Sequence, residues 1–168
     1  YLLSSNMGEV LTVFLGVIGA GVVGLADAGG GELVLPLLAT QILWINLITD
    51  SGPALAMGVD PETDDVMARP PRKSTEHAID AQMWRSVIAL GLVMALATLL
   101  TMDLYLPGGF IEGSHSLERA RTAGFTVLVF AQLFNCFNAR SESTSAFSHL
   151  FVNKWLWVAV GLSIALQI

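Results

Sequence analysis

Charged residues are scarce in this 168-residue sequence, in which Asp, Glu, Lys and Arg together make up 13%. A soluble domain typically carries about 25%. The charges lie in short islands between long apolar stretches, and 54% of all residues are hydrophobic. A chain that crosses a bilayer repeatedly has this arrangement. The composition excludes a disordered chain and argues strongly against a soluble enzyme.

Basic residues and cysteine are also few. Eight Lys and Arg stand against fourteen Asp and Glu, and the net charge of −6 excludes a nucleic-acid binder. The single cysteine, Cys136, has no second cysteine to pair with in the chain, which excludes a disulfide scaffold. The sequence therefore predicts an all-α protein, a polytopic transmembrane helical bundle.

Five apolar segments predict about five membrane helices, at about residues 1–25, 33–59, 83–106, 122–138 and 155–168. The second helix is predicted to break near Gly52 and Pro53, because proline lacks a backbone N–H and clashes with the carbonyl of Thr49. The last segment is shorter than the about 20 residues that a crossing needs. We therefore expect this helix to be truncated and the sequence to be part of a longer protein.

Lysine and arginine are unevenly distributed among the connections between these segments. Two lie in the third connection, Arg119 and Arg121. Six lie in or beside the second and fourth connections: Arg69, Arg72, Lys73, Arg85, Arg140 and Lys154. Since cytoplasmic loops carry the excess of basic residues, the second and fourth connections are predicted to face the cytoplasm.

The second segment carries polar residues where a bilayer disfavours them. Asp50 is expected near the midplane, where an aspartate costs about 2.5–3.5 kcal/mol. Asn46, Thr49 and Asp50 follow at i, i+3 and i+4 and so share one helical face. Irregular backbone beside such residues is typical of ion sites. Asp103, by contrast, is expected close to the outer interface and solvated.

Two further polar faces follow the same spacing. Asn6 and Glu9 lie three residues apart on the first helix, and Gln132 and Asn135 lie three residues apart on the fourth. Together with the second helix they supply carboxylate, amide and hydroxyl oxygens. Such hard ligands suit Ca²⁺ or a similar cation better than zinc or copper. Cys136 and the scattered histidines predict no transition-metal site.

Structural explanations remain open for most of these residues. Asn6 and Glu9 also fit a helix-capping box. The Thr49 hydroxyl is free to bond a carbonyl one turn back, and Gln132 and Asn135 are able to join neighbouring helices. Such explanations are weakest for Asp50, which is expected near the membrane midplane.

Three stretches carry a family resemblance: SSNMGEV at 4–10, WINLITDSGPA at 44–54 and DDVMARPPR at 64–72. Together they resemble the P-type cation-transporting ATPases, and most of all the P2 calcium pumps. The resemblance runs over the whole sequence, which would form the C-terminal transmembrane domain over residues 1–168. The five predicted helices would correspond to the fifth to ninth membrane helices of that family.

The resemblance implies a set of cation ligands: Asn6, Glu9, Asn46, Thr49, Asp50 and Gln132. Asp50 matches the residue that bridges two ion positions in two-site pumps. Gln132 stands where reticulum-type pumps carry a glutamate and plasma-membrane-type pumps a glutamine. A glutamine removes one negative charge but still offers a carbonyl oxygen.

The resemblance also implies a function, the ATP-driven transport of Ca²⁺ out of the cytoplasm with proton counter-transport. The family's phosphorylated aspartate, nucleotide-binding domain, actuator loop and fourth-helix ion-binding segment are absent from this sequence. ATP and Mg²⁺ are therefore expected to act only in other domains of the intact pump, and this chain alone is not expected to hydrolyse ATP. Its expected partners are the transported cation, the lipid bilayer, and the cytoplasmic domains and N-terminal membrane helices. Residues 60–80 would contact the phosphorylation domain.

Two alternatives stay open. One is a P-type pump for another cation (Mn²⁺, Na⁺, K⁺ or H⁺), since Mn²⁺ also accepts oxygen ligands. The other is a membrane scaffold domain without transport, against which the intramembrane Asp50 argues. In each case we expect a multi-pass integral membrane protein, and the cell membrane as its location.

Overall fold

The structure, a computed structural model, describes residues 1–29, 34–60, 79–111, 113, 116–140 and 151–167. Residues 60–80, which were predicted to contact the phosphorylation domain, lie almost entirely outside these ranges. The Arg-Pro-Pro-Arg motif at 69–72 and the three histidines lie outside them too. The helices are α1 (Leu2–Ile18), α2 (Leu25–Ala28), α3 (Ala39–Trp44), α4 (Ser51–Gly58), α5 (Ala81–Tyr105), α6 (Leu117–Asn138) and α7 (Lys154–Gln167). The predicted all-α class is confirmed for the part of the chain that is described.

Two of the helices, α5 and α6, are long and apolar enough to cross a membrane. The 25 residues of α5 extend over about 37 Å, more than the about 30 Å of a bilayer's hydrocarbon core. Helices α1 and α7 are apolar but shorter. These helices agree with a transmembrane bundle, while five crossings remain a prediction.

The first helix ends earlier than predicted. α1 stops at Ile18, whereas the apolar pattern continued to residue 25. Glycines at 19, 21 and 24 follow, and each is a poor helix former. Gly24 adopts φ +75°, which turns the chain into the short α2. A side chain there would approach the Pro107 carbonyl to 2.7 Å, so this turn also requires glycine for space.

The second segment contains the predicted break just before Gly52 and Pro53. Residues Ile45–Thr49 form a single π-helical turn between α3 and α4, and the Asp50 N–H donates to the Ile45 carbonyl over 2.9 Å. Pro53 lies in the first turn of α4, where a missing N–H costs a helix least. The irregular backbone therefore lies on the N-terminal side of the proline.

The fourth predicted helix begins earlier than expected. α6 starts at Leu117 rather than residue 122, and the Ser116 hydroxyl caps it by accepting the Arg119 N–H over 3.4 Å. Its first turn carries charged residues, which is why hydropathy alone missed it. The capping serine was the available signal.

The packing brings alternate connections to the same end of the bundle. α5 packs against both α1 and α6, and α4 packs against α7. At one end, Arg140 after α6 pairs with Asp60 after α4 at 2.7 Å. At the other end, the Arg121 guanidinium donates to the Leu35 carbonyl over 2.8 Å. This alternation agrees with the predicted sidedness, although which end faces the cytoplasm stays a prediction.

Candidate cation-binding site

Glu9 lies where α1, the π turn and α6 meet. Its side chain is 4% exposed. One carboxylate oxygen, Oε2, accepts a hydrogen bond from the Asn46 amide nitrogen at 2.7 Å, and Oε1 accepts one from the Gln132 amide nitrogen at 3.0 Å. Three residues that are far apart in the sequence are thus joined through one buried carboxylate.

Asp50 follows directly after the π turn and is fully buried. Its Oδ1 accepts a hydrogen bond from the Tyr1 hydroxyl at 2.7 Å. Its Oδ2 has no hydrogen-bond partner among the described residues. The π turn therefore carries a second buried carboxylate at its C-terminal end.

Unpaired buried oxygens are concentrated in this region. Buried polar atoms nearly always have hydrogen-bond partners, so each exception needs an explanation. In the described part of the chain, four unpaired oxygens belong to this cluster and its immediate neighbours: Ser5 Oγ, Asp50 Oδ2, Gln132 Oε1 and Asn135 Oδ1. Oxygens of this kind are the ligands that hard cations take.

Carboxylates alone do not make the site. No three His, Cys, Asp or Glu side chains lie together within the described ranges. Any cation held here would therefore depend on amide, hydroxyl or carbonyl oxygens beside Glu9 and Asp50. Ca²⁺ accepts such a mixed oxygen set, whereas zinc and copper prefer nitrogen and sulfur.

Thr49 and Asn6 lie differently from the other predicted ligands. The buried Thr49 hydroxyl donates to the Ile45 carbonyl at 2.9 Å, the back-bonded arrangement that the sequence left open. Asn6 lies inside α1 rather than at its N-cap, which is Tyr1, so the capping-box explanation is wrong. Asn6 is exposed, and the structure does not bring it into the cluster around Glu9.

Sequence reasoning missed Tyr1 and two serines on α1. The Asn135 amide nitrogen donates to Ser4 Oγ at 2.7 Å, and the Gln132 amide nitrogen approaches the Ser5 carbonyl at 3.4 Å. Tyr1, Ser5 and Glu9 follow at intervals of four, which places them on one helical face. This spacing was the signal that would have found them. Gln132 and Asn135 do join neighbouring helices, as the structural explanation for them required.

Comparison with known proteins agrees with this architecture. The model of the family described as "Cation transporting ATPase, C-terminus" matches residues 34–168. The chain is 37% identical to a calcium-transporting ATPase of Bacillus subtilis (strain 168), over 100% of the chain and 17% of that protein. It is 37% identical to calcium-transporting ATPase 1 of Bacillus cereus, over 100% of the chain and 19% of that protein.

A plant relative extends the comparison. The chain is 28% identical to calcium-transporting ATPase 2, endoplasmic reticulum-type, of Arabidopsis thaliana, over 99% of the chain and 20% of that protein. The chain thus spans about a fifth of the length of these curated relatives. Since the family model covers well over half of the sequence, the chain belongs to the C-terminal family of the cation-transporting ATPases.

Proposed function

We propose that this chain is the membrane ion-binding part of an ATP-driven pump that moves Ca²⁺ out of the cytoplasm. The observation that carries the proposal is the group formed by the buried Glu9, Gln132 and Asp50 and the half-buried Asn46, in which two oxygens have no partner among the described residues. An unpaired carboxylate oxygen at membrane depth is costly, and a cation offsets that cost. The names of the bacterial relatives support calcium as the ion.

The proposed ligands contribute in different ways. Glu9 and Asp50 would supply negative charge, and Asn46 and Gln132 would supply amide oxygens. In the structure both amides direct nitrogen at Glu9. A cation that binds this carboxylate therefore requires the two amides to turn and present oxygen instead. Thr49 would contribute its hydroxyl oxygen, which keeps lone pairs free while it donates to its own helix.

Asn6 would complete the site from another direction. It shares an exposed face of α1 with Val10 and Phe14, which are 62% and 57% exposed. An apolar groove of about 540 Å³ runs along this side of α1, and Glu9 lies in its lining. We propose that the N-terminal membrane helices of the intact pump cover this face. The ligand role of Asn6 would then be realised only in that assembly.

Energy would come from domains outside this chain. ATP and Mg²⁺ would act in the cytoplasmic domains, where the pump would phosphorylate itself and drive the membrane helices to release the ion outside. We propose the cell membrane as the location. The endoplasmic reticulum-type relative makes an internal membrane the alternative location.

Proton counter-transport follows from burial. When the cation leaves, two buried carboxylates would remain close together, and a low-dielectric environment disfavours their charged forms. A partly polar cavity of about 300 Å³ between α1, α5 and α6 reaches Tyr1, Ser4 and Asn135. Tyr1 in turn bonds Asp50. A pH-sensitive dye inside pump vesicles should report alkalinisation during calcium uptake, and the signal should vanish when either ATP or calcium is left out.

The proposed function is tested by ATP-dependent uptake of radioactive calcium into vesicles that contain the intact pump. Calcium should accumulate, and calcium should stimulate ATP hydrolysis more strongly than Mn²⁺, Na⁺ or K⁺. Uptake of Mn²⁺ without Ca²⁺ would contradict the proposed ion. A protein whose ATP hydrolysis responds to no cation would contradict the pump and favour the scaffold.

A further inference from the structure

The Thr49 carbonyl lacks its usual helical partner. A helical carbonyl accepts the N–H four residues ahead, and that residue is Pro53, which has none. The next N–H, that of Ala54, donates to the Asp50 carbonyl over 3.0 Å. Because Thr49 is 1% exposed, an unpaired carbonyl here would be costly.

A serine on α7 supplies the missing donor. The Ser163 hydroxyl donates to the Thr49 carbonyl over 3.3 Å, and Ser163 is 3% exposed. Hydroxyls in membrane helices commonly bond a carbonyl of their own helix one turn back. Thr12, Thr98, Thr101, Thr122, Thr126 and Ser86 all do so here. Ser163 instead crosses to the broken segment.

Helix α7 is fixed against α4 at two further points. A side chain added at Gly52 would lie 3.5 Å from Ala159, which is one turn before Ser163. At the other end of α4, the Asn153 amide nitrogen donates to the Ala56 carbonyl over 2.8 Å. Ser163 is thus held in register with the break by two contacts that precede it along the chain.

The contact acts on the peptide unit that carries Asp50. The Thr49 carbonyl and the Asp50 N–H belong to one planar group. The Ser163 hydroxyl donates to the oxygen of this peptide group, and the N–H of the same group donates to the Ile45 carbonyl over 2.9 Å. Because both polar atoms of this peptide group are hydrogen-bonded, the orientation of the group is fixed. The backbone position from which the Asp50 side chain extends is fixed with it.

We propose that Ser163 is a positioning residue for the cation site, acting through the Thr49 carbonyl and without contacting the ion. This inference rests on the proposed function, since it assumes that Asp50 binds the transported cation. It brings α7, which contributes none of the proposed ligands, into the determination of cation affinity.

The test is the calcium dependence of uptake by the intact pump, measured per folded molecule. Ser163→Ala should raise the calcium concentration for half-maximal uptake by about 2- to 12-fold, as the loss of one hydrogen bond implies, with the maximal rate unchanged. Ser163→Thr, which keeps the hydroxyl, should restore the wild-type value. The matched control is Thr98→Val, which removes a buried hydroxyl that bonds a carbonyl of its own helix on α5 and should shift nothing.

A double-variant cycle separates positioning from packing. Pro53→Ala returns an N–H to the position from which it reaches the Thr49 carbonyl, so Ser163→Ala should add no further shift in that background. An equal shift in both backgrounds, or a loss of maximal rate alone, would overturn the inference. Should Ser163→Ala fail to fold, Ser163→Cys carries the same test, because a thiol is a weaker donor of similar size. Absence of calcium uptake by the wild-type pump would instead contradict the proposed function.

Discussion

Two buried aspartates of this chain have opposite surroundings. Asp103, near the end of α5, is 2% exposed, and its two carboxylate oxygens accept the Phe110 and Ile111 N–H groups at 2.7 and 2.8 Å. Asp50 is fully buried, and among the described residues its carboxylate accepts a hydrogen bond only from the Tyr1 hydroxyl, while Oδ2 has no partner. The satisfied carboxylate stabilises a turn, whereas the unsatisfied one retains capacity for a ligand.

The expectation that Asp103 is solvated was wrong, and the reason lies in the turn that follows α5. Gly108 adopts φ +77°, which brings the next backbone N–H groups back over the helix end. A side chain on Gly109 would collide with the Asp103 carboxylate. The role of a buried aspartate therefore has to be inferred from its hydrogen-bond partners as well as from its burial.

The largest effect is expected for Asp50→Asn. The substitution keeps the side-chain size and an acceptor for Tyr1 but removes the negative charge. Calcium affinity should fall by about 100-fold or more, since removing one charge of a buried pair costs about 3–5 kcal/mol. This affinity is measured as the calcium dependence of ATP-dependent uptake by the intact pump. Near-normal uptake by this variant would place Asp50 outside the ion path.

The same exchange at Asp103 should affect folding rather than transport. In Asp103→Asn the new amide group faces a backbone N–H, so one hydrogen bond is lost and a buried donor is left unpaired. We expect about 1–3 kcal/mol of destabilisation, seen as faster thermal inactivation in detergent. Calcium affinity of the folded fraction should match the wild type, and a matching loss of affinity would erase the distinction between the two aspartates.

Asn46→Ala tests whether the amides around Glu9 contribute to binding. It removes the 2.7 Å hydrogen bond to Glu9 and a proposed oxygen ligand together. That hydrogen bond has to break when the amide turns to present its oxygen, so the lost ligand decides the direction of the effect. A polar contact with a charged group is worth about 1.5–3 kcal/mol, so half-maximal uptake should need about 10- to 100-fold more calcium. The control is Asn138→Ala, because Asn138 is exposed at the end of α6. Equal shifts in both variants would contradict a specific role.

The smallest effect is expected for Asn6→Ala. Because Asn6 is exposed on α1, stability should change by less than about 0.5 kcal/mol. Calcium affinity of the intact pump should fall by about 2- to 12-fold, because the variant loses one neutral oxygen ligand whose role depends on the covering helices. An unchanged affinity would remove Asn6 from the ligand set.

Hydropathy predicted the helices but not their ends. The apolar pattern of the first helix continued past Ile18, yet glycines ended α1 there because backbone entropy disfavours them in a helix. The charged first turn of α6 was missed because a helix that leaves the hydrocarbon core no longer needs apolar residues. The break before Pro53 was predictable, since the ring chemistry of proline is local.

The site was predictable only in part. The spacing of Asn46, Thr49 and Asp50 placed them on one face, but no spacing showed that Glu9 would accept hydrogen bonds from Asn46 and Gln132. Ser163 could not be found from sequence, because a serine in an apolar helix is ordinary. Its role depends on which helix packs beside it, and this is a property of the tertiary structure.

The most direct test of the central claim is equilibrium calcium binding to the intact pump without ATP, with Asp50→Asn and Asp103→Asn compared per folded molecule. The account predicts that Asp50→Asn abolishes high-affinity binding while Asp103→Asn retains the wild-type dissociation constant. Equal binding by the two variants would contradict the claim that the unsatisfied carboxylate, and not burial itself, marks the cation site.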